Sequence, residues 1–148
     1  MDDKKAKYAW AIGGVILAFT EMEAEILSLI EALASKSRPE LEPENLSNKL
    51  VELEKLAQQY PDEAIKNKLV KIASAARRLN VDRVNFAHGE LWVEPSDKSH
   101  HRHFVPRRTG TPEDDERTPG QIKAIEDEIV KLCSEVAALA ATIRRARG

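Results

Sequence analysis

The run Tyr8-Ala-Trp-Ala-Ile-Gly-Gly-Val-Ile-Leu-Ala-Phe-Thr-Glu-Met-Glu-Ala-Glu-Ile-Leu-Ser-Leu-Ile-Glu-Ala-Leu33 decides the class of fold. Within it Tyr8, Ile12, Val15, Phe19, Met22, Ile26, Leu29 and Leu33 recur at alternating steps of four and three. At about 100° per residue such steps draw one seam along a long helix, the pattern of a bundle helix that buries a single face. The seam predicts a helix over residues 6–34. Its phase continues past Glu21, Glu23 and Glu25, which reads as a structural helix rather than a removable leader, and the apolar part is too short to span a membrane. Gly13 and Gly14 each cost about 1 kcal/mol relative to alanine inside a helix, so the pair marks a close crossing or a kink.

Three more helices follow the same logic. Pro39 and Pro43 break the chain after the first, and Leu46, Leu50, Leu53, Ala57 and Tyr60 then give an apolar face over 46–59 that Pro61 ends. Asp62 can cap a third helix over 62–92, carried by Ile65, Leu69, Ile72, Ala76 and Leu79. Thr118 with Gln121 forms a capping box and Pro119 takes the first turn of a fourth, over 119–146, whose seam runs through Ile122, Ile125, Ile129, Leu132, Val136, Leu139 and Ile143. Arg144, Arg145 and Arg147 suit the negative end of that helix. The expected fold is therefore all-α, an antiparallel four-helix bundle forming a single domain over 1–148, with helices two and three antiparallel neighbours across their short link.

Between helices three and four, residues 93–117 lose the helical period and hold Pro95, Pro106, Gly110 and Pro112. This segment is either a long irregular loop or a short hairpin pairing Leu91-Trp92-Val93 with Phe104-Val105, in a register that the residues do not fix.

Composition narrows the function classes. With 148 residues, 42% of them hydrophobic and 32% charged, the chain has material for one real core. A net charge of −2 argues against nucleic-acid binding through overall charge and leaves room for a local basic patch. The single Cys133 lies on an apolar stripe and reads as a small buried hydrophobe, so the expected setting is cytoplasmic, with no membrane. No glycine-rich phosphate loop, nucleophile triad or zinc pattern is present, and no cofactor is expected. His100, His101 and His103 have no cysteine or carboxylate at ligand spacing, so a solvated loop is expected there rather than a metal site.

The stretch from Arg77 to Trp92 departs from the pattern, because Asn80 and Arg83 occupy the apolar stripe of the third helix. A guanidinium aimed at a core calls for a carboxylate, a second subunit or an anionic ligand. Glu23, at the edge of the first seam, is the candidate carboxylate. His88 follows five residues after Arg83, about 140° round a straight helix, at the rim of the apolar face.

Arg83-Val84-Asn85-Phe86-Ala87-His88-Gly89 resembles the motif of the HEPN superfamily, an arginine and a histidine separated by four to six residues late in a helix. The resemblance implies an antiparallel helical bundle, usually dimeric, whose catalytic members cut RNA without metal and serve as toxins or defence effectors, some with antitoxin partners. Carried onto this chain, Arg83 would bind the scissile phosphate and stabilise charge developing on it, and Asn85 would orient the histidine or the ribose. His88 would move the protons, since a reference pKa near 6.5 suits general acid and base work. A 2′-hydroxyl nucleophile makes the substrate RNA. Lys98, Arg102, Arg107 and Arg108, with no acid between them, would form a basic strap over RNA phosphates. Two side chains that point apart on one helix call for a homodimer to complete the site. The second reading is a non-catalytic HEPN-like dimerisation module, or one binding a nucleotide or a protein. The family's polar residue directly after the arginine comes one place later here, as Asn85 behind Val84, which favours that second reading.

Overall fold

The seam of the first helix is buried as its spacing requires. In a computed structural model, which describes residues 3–88, 90–93, 102–105 and 118–148 and the side chains of 6–83 and 118–148, α1 runs Asp3–Ala34. Tyr8, Val15, Phe19, Met22, Ile26, Leu29 and Leu33 are buried, and Ile12 packs half-buried against the same core. Ser35 ends the helix in the left-handed region at φ 58, and the Lys36 amide donates to the Glu31 carbonyl, so a serine fills the place where glycine is usual in this closing motif. A 3-10 turn over Pro39–Leu41 leads into α2, Leu46–Gln58, which Asn45 caps by accepting from the Asn48 amide. Asp62 caps α3, Glu63–His88, through a hydrogen bond from the Ile65 amide. The capping box of α4, Pro119–Arg147, is complete, with Thr118 and Gln121 each accepting from the other's backbone.

The third helix is shorter than its apolar run. It stops at His88, and Glu90, Leu91 and Trp92, the end of the expected 62–92 helix, lie in β1, Glu90–Val93, which pairs antiparallel with β2, Arg102–Val105. Leu91 opposes Phe104, Trp92 opposes His103 and Val93 opposes Arg102. An apolar, aromatic and β-branched triplet suits a strand as well as a last helical turn, and a ladder supplies the backbone partners that a helix end lacks. Of the two expectations for the segment after helix three, the short hairpin is present. Residues 94–101 and 106–117 lie outside the description.

Side-chain pairs fix the directions of the helices. Arg77 reaches Glu54 at 2.6 Å and Asn80 reaches Ser47 at 3.4 Å, so α2 and α3 are antiparallel, as their short link predicts. Arg78 bridges to Glu128 at 3.0 Å, and one cleft is lined by residues 65–75 of α3 and 132–142 of α4, so these two are antiparallel as well. α1 and α4 depart from the antiparallel arrangement: Glu126 lies beside Gly14, Arg144 donates to the Ser28 carbonyl at 3.0 Å, and Arg147 donates to that of Ala32 at 3.1 Å. They run parallel and carry most of the buried apolar residues among those described. The signs of these pairings leave α3 running against the other three. Residues 35–45, which include the 3-10 turn, carry the chain from the end of α1 to the start of α2 and make this possible.

Parallel helices bring two negative ends together. Arg144 and Arg147 offset this by donating to carbonyls near the end of α1, and Arg147 also reaches the Ser35 hydroxyl. Gly14 admits the Glu126 carboxylate, onto which a Cβ would fall, whereas Gly13 faces open space. Among the described residues no helix is long and apolar enough to cross a membrane.

Candidate functional site

The polar residues that interrupt the α3 stripe sit where three helices meet. Leu79 is fully buried, and one residue on, Asn80 faces α2, its amide nitrogen 3.4 Å from the Ser47 hydroxyl. One turn later Arg83 places its guanidinium carbon 5.0 Å from the centroid of the Phe19 ring on α1. That distance is within the reach of about 6 Å at which a cation is drawn to a ring face.

Both polar groups are incompletely satisfied. The Asn80 Oδ1 and the Arg83 Nε are buried with no hydrogen-bond partner among the described residues. Leaving such a group unmade costs about 1–3 kcal/mol, so a sequence retains the pair only against a stability gradient or for use. Contact with a ring face leaves the in-plane N–H donors of a guanidinium suited to an acceptor that approaches edge-on, as a carboxylate or phosphate does.

The expected Glu23 partner is not engaged. Glu23 is half-buried on α1, one turn beyond Phe19, and makes no ion pair with Arg83 within 4 Å. Arg83 takes the aromatic face in place of the carboxylate. Phe19 was visible in the sequence as a seam residue, and its part beside Arg83 would have followed from setting the seams of α1 and α3 against each other.

His88 is the last residue of α3, about 7.5 Å along the axis from Arg83 and about 140° round it on a regular helix. Asn85 lies between them on the same helix. The placement of both side chains falls outside the described residues, as do Lys98, Arg107, Arg108, His100 and His101. Arg102 opens β2 and His103 follows it, so the backbone of one strap residue is fixed in the hairpin. β1 begins two residues after His88, and β2 lies next to α1, so the hairpin folds back toward the helix that carries Phe19. The end of α3, the hairpin and the N-terminal half of α1 thus share one end of the molecule.

Two other features belong to the inventory. Lys49, the one buried charged side chain among the described residues, donates from Nζ to the Glu42 carbonyl at 3.3 Å and ties α2 to the segment that enters it. A cleft of about 530 Å³ between α3 and α4 has an apolar floor that includes Ile65, Ile72, Leu132 and Leu139, with Lys68, Lys71 and Glu135 at its edge. It does not include Arg83. Among the described residues no three His, Cys, Asp or Glu side chains gather as a metal site would need. Compared with family models, curated proteins and solved structures, the chain matches none of them.

Proposed function

We propose that this chain is an HEPN-like endoribonuclease that cleaves RNA without metal, with Arg83 and His88 at a cleft between two copies. The observation that carries the reading is the buried Nε of Arg83, without a partner among the described residues, on a guanidinium seated over Phe19 near the end of the helix that His88 closes. An arginine held this way has donors ready for a phosphate and no carboxylate to neutralise it within the described core.

The chemistry follows from these groups. His88 as base removes the proton of a ribose 2′-hydroxyl, whose oxygen attacks the adjacent phosphorus. Arg83 stabilises the charge that builds on the phosphoryl oxygens. The P–O5′ bond breaks, a protonated histidine returns a proton to the leaving 5′-oxygen, and the products are a 2′,3′-cyclic phosphate and a 5′-hydroxyl. Asn85 orients His88 or the ribose, and Lys98, Arg102, Arg107 and Arg108 hold flanking phosphates. A toxin or defence role, with an antitoxin among the partners, follows from the resemblance alone.

The test is cleavage of end-labelled RNA in excess EDTA by the intact protein and by a folded His88→Ala variant. Loss of a positioned general acid or base lowers the rate by about 10²–10⁴-fold, so cleavage confined to the unaltered protein is the expected result. Absence of cleavage by both, across several RNAs, replaces the reading with that of a non-catalytic dimerisation or binding module, in which Asn80 and Arg83 meet a nucleotide or a protein.

A further inference from the structure

Beyond the bridge from Arg78 to Glu128, toward the start of α3, the helices α3 and α4 stand apart and leave the cleft of about 530 Å³. Ile65, Lys68 and Ile72 line it from α3, and Leu132, Glu135 and Leu139 line it from α4. On each helix the steps are three and four, so one face of each turns toward the opening. Ile72, Leu132 and Leu139 belong to the hydrophobic core, and the cleft is the place where that core comes to the surface.

The dimensions suit a thin occupant. From Ile65 to Ala75 the cleft runs about 15 Å along α3 at 1.5 Å per residue. Its volume spread over that length leaves a section of roughly 35 Å², and a helix, about 10 Å across with its side chains, has more than twice that section. The volume falls within the range of about 300–1,000 Å³ that small-molecule sites occupy. An extended covalent chain advances about 1.2 Å per bond, so an unbranched chain of about a dozen carbons spans the floor. Ala75 and Ala138, with only methyl groups, keep the cleft open.

Charge orders the two ends. The bridge from Arg78 to Glu128 fixes the antiparallel register and sets Lys71 at the height of Glu135, where the two balance across the opening. Lys68, one turn earlier, stands at the height of Ala138 and has no acid opposite. None of Lys68, Lys71 and Glu135 forms an ion pair with another described residue. Arg145 adds a second cation at the Lys68 end, donating to the hydroxyl of Thr142, which lines the cleft. Asp62, on the preceding turn of α3, is committed to the Ile65 amide. The Lys68 end therefore holds an excess of positive charge, and the floor beyond it is apolar.

We infer that this cleft binds one straight-chain fatty acid, with its carboxylate at Lys68 and Arg145 and its tail laid over Ile72, Leu132 and Leu139. Ile72 lies about 16 Å along α3 from Arg83, so the site is separate from the proposed cleavage centre and its test does not depend on RNA.

Calorimetric titration of the full chain with dodecanoate, kept below the concentration at which it forms micelles, tests the inference. One molecule per chain with a micromolar Kd is expected, and each pair of carbons removed from the tail should weaken binding roughly tenfold. Dodecyltrimethylammonium, with the same tail and the opposite charge, should bind at least about tenfold more weakly, and Lys68→Glu should weaken dodecanoate by a similar factor. Ala138→Leu, at an exposed position on the lining, extends into the cleft. It should raise the melting temperature of the unliganded protein and weaken dodecanoate about tenfold, a combination that a merely structural alanine would not give. No heat of binding up to high-micromolar dodecanoate overturns the inference, as does equal binding of the cationic amphiphile. Binding indifferent to both Lys68→Glu and Ala138→Leu also overturns it, because the amphiphile would then be adsorbing elsewhere on the surface.

Discussion

A single side chain, Arg83, separates the demands of folding from those of function. Its guanidinium lies over the Phe19 ring, while its Nε is a buried donor without an acceptor among the described residues. An unbranched apolar replacement keeps the cover and removes the orphan. Arg83→Met is therefore expected to leave unfolding free energy within about 1 kcal/mol of the parent, or to raise it, while abolishing the proposed RNA cleavage. Urea denaturation beside the cleavage assay checks this, and a loss above about 2 kcal/mol would mark the residue as structural. Cys133 illustrates the opposite case, a chemically capable group that its surroundings quiet. Burial, then the carboxylates of Glu25 and Glu21, push its thiol above the ordinary value, and the residue is half-buried. A raised pKa means that the thiol stays protonated at neutral pH and that thiolate appears only as pH climbs past the ordinary thiol range. Iodoacetamide labelling should be slow at pH 7–8 and still rising above pH 9, and a rate already level at pH 8 would contradict it. The sequence placed Cys133 on an apolar stripe as a buried residue, and the structure leaves it half-buried, because phase gives the side of the helix and the neighbouring elements decide how far it is covered. The orphan on Arg83 was not legible, because satisfaction of a donor depends on which element crosses it.

Helices announced themselves through periodicity and caps, and those two signals also set their limits. The capping box at Thr118 is a local device, with both partners within one turn, so its presence could be read directly and its worth predicted. Thr118→Ala should cost about 1 kcal/mol, measured by thermal or urea unfolding, and Thr118→Asp should recover most of it. The end of α3 was harder because Leu91-Trp92-Val93 continues an apolar pattern that helix and strand share. Its fate was decided by Arg102–Val105, a partner strand beginning nine residues after β1 ends. The end of α1 shows the same dependence on distant chain. Arg144 and Arg147 look like ordinary dipole partners of their own helix, but they donate to carbonyls of Ser28 and Ala32 on another. Replacing both with alanine should therefore loosen α1 near Ser28 to Ala34, seen as faster amide exchange there, with smaller change in the middle of α4. Faster exchange confined to α4 would mean that the arginines serve only the helix they belong to.

At the scale of the molecule, apolar seams specify which faces meet and leave open which way the helices run. The repeat from Tyr8 to Leu33 and that from Ile122 to Ile143 are compatible with either relative direction. Their parallel arrangement comes from the length of the 35–45 segment and from the hairpin, which returns the chain beside the start of α1 before α4 begins. This makes the α1–α4 contact the mechanical centre of the protein, with α3 joined to α4 across an open cleft of about 530 Å³. Stability should be divided accordingly. Met22 is fully buried on α1, so truncation there leaves a cavity among side chains that cannot all relax, whereas Ile65 lies half-exposed at the cleft and its loss is partly filled by water. Met22→Ala is expected to cost about 2–5 kcal/mol and Ile65→Ala roughly 1 kcal/mol, read from urea denaturation of each variant. Equal costs at the two positions would mean that the cleft closes in solution and that α3 is held as firmly as α1, which would leave the hairpin and the Arg83 turn with far less freedom to meet a substrate.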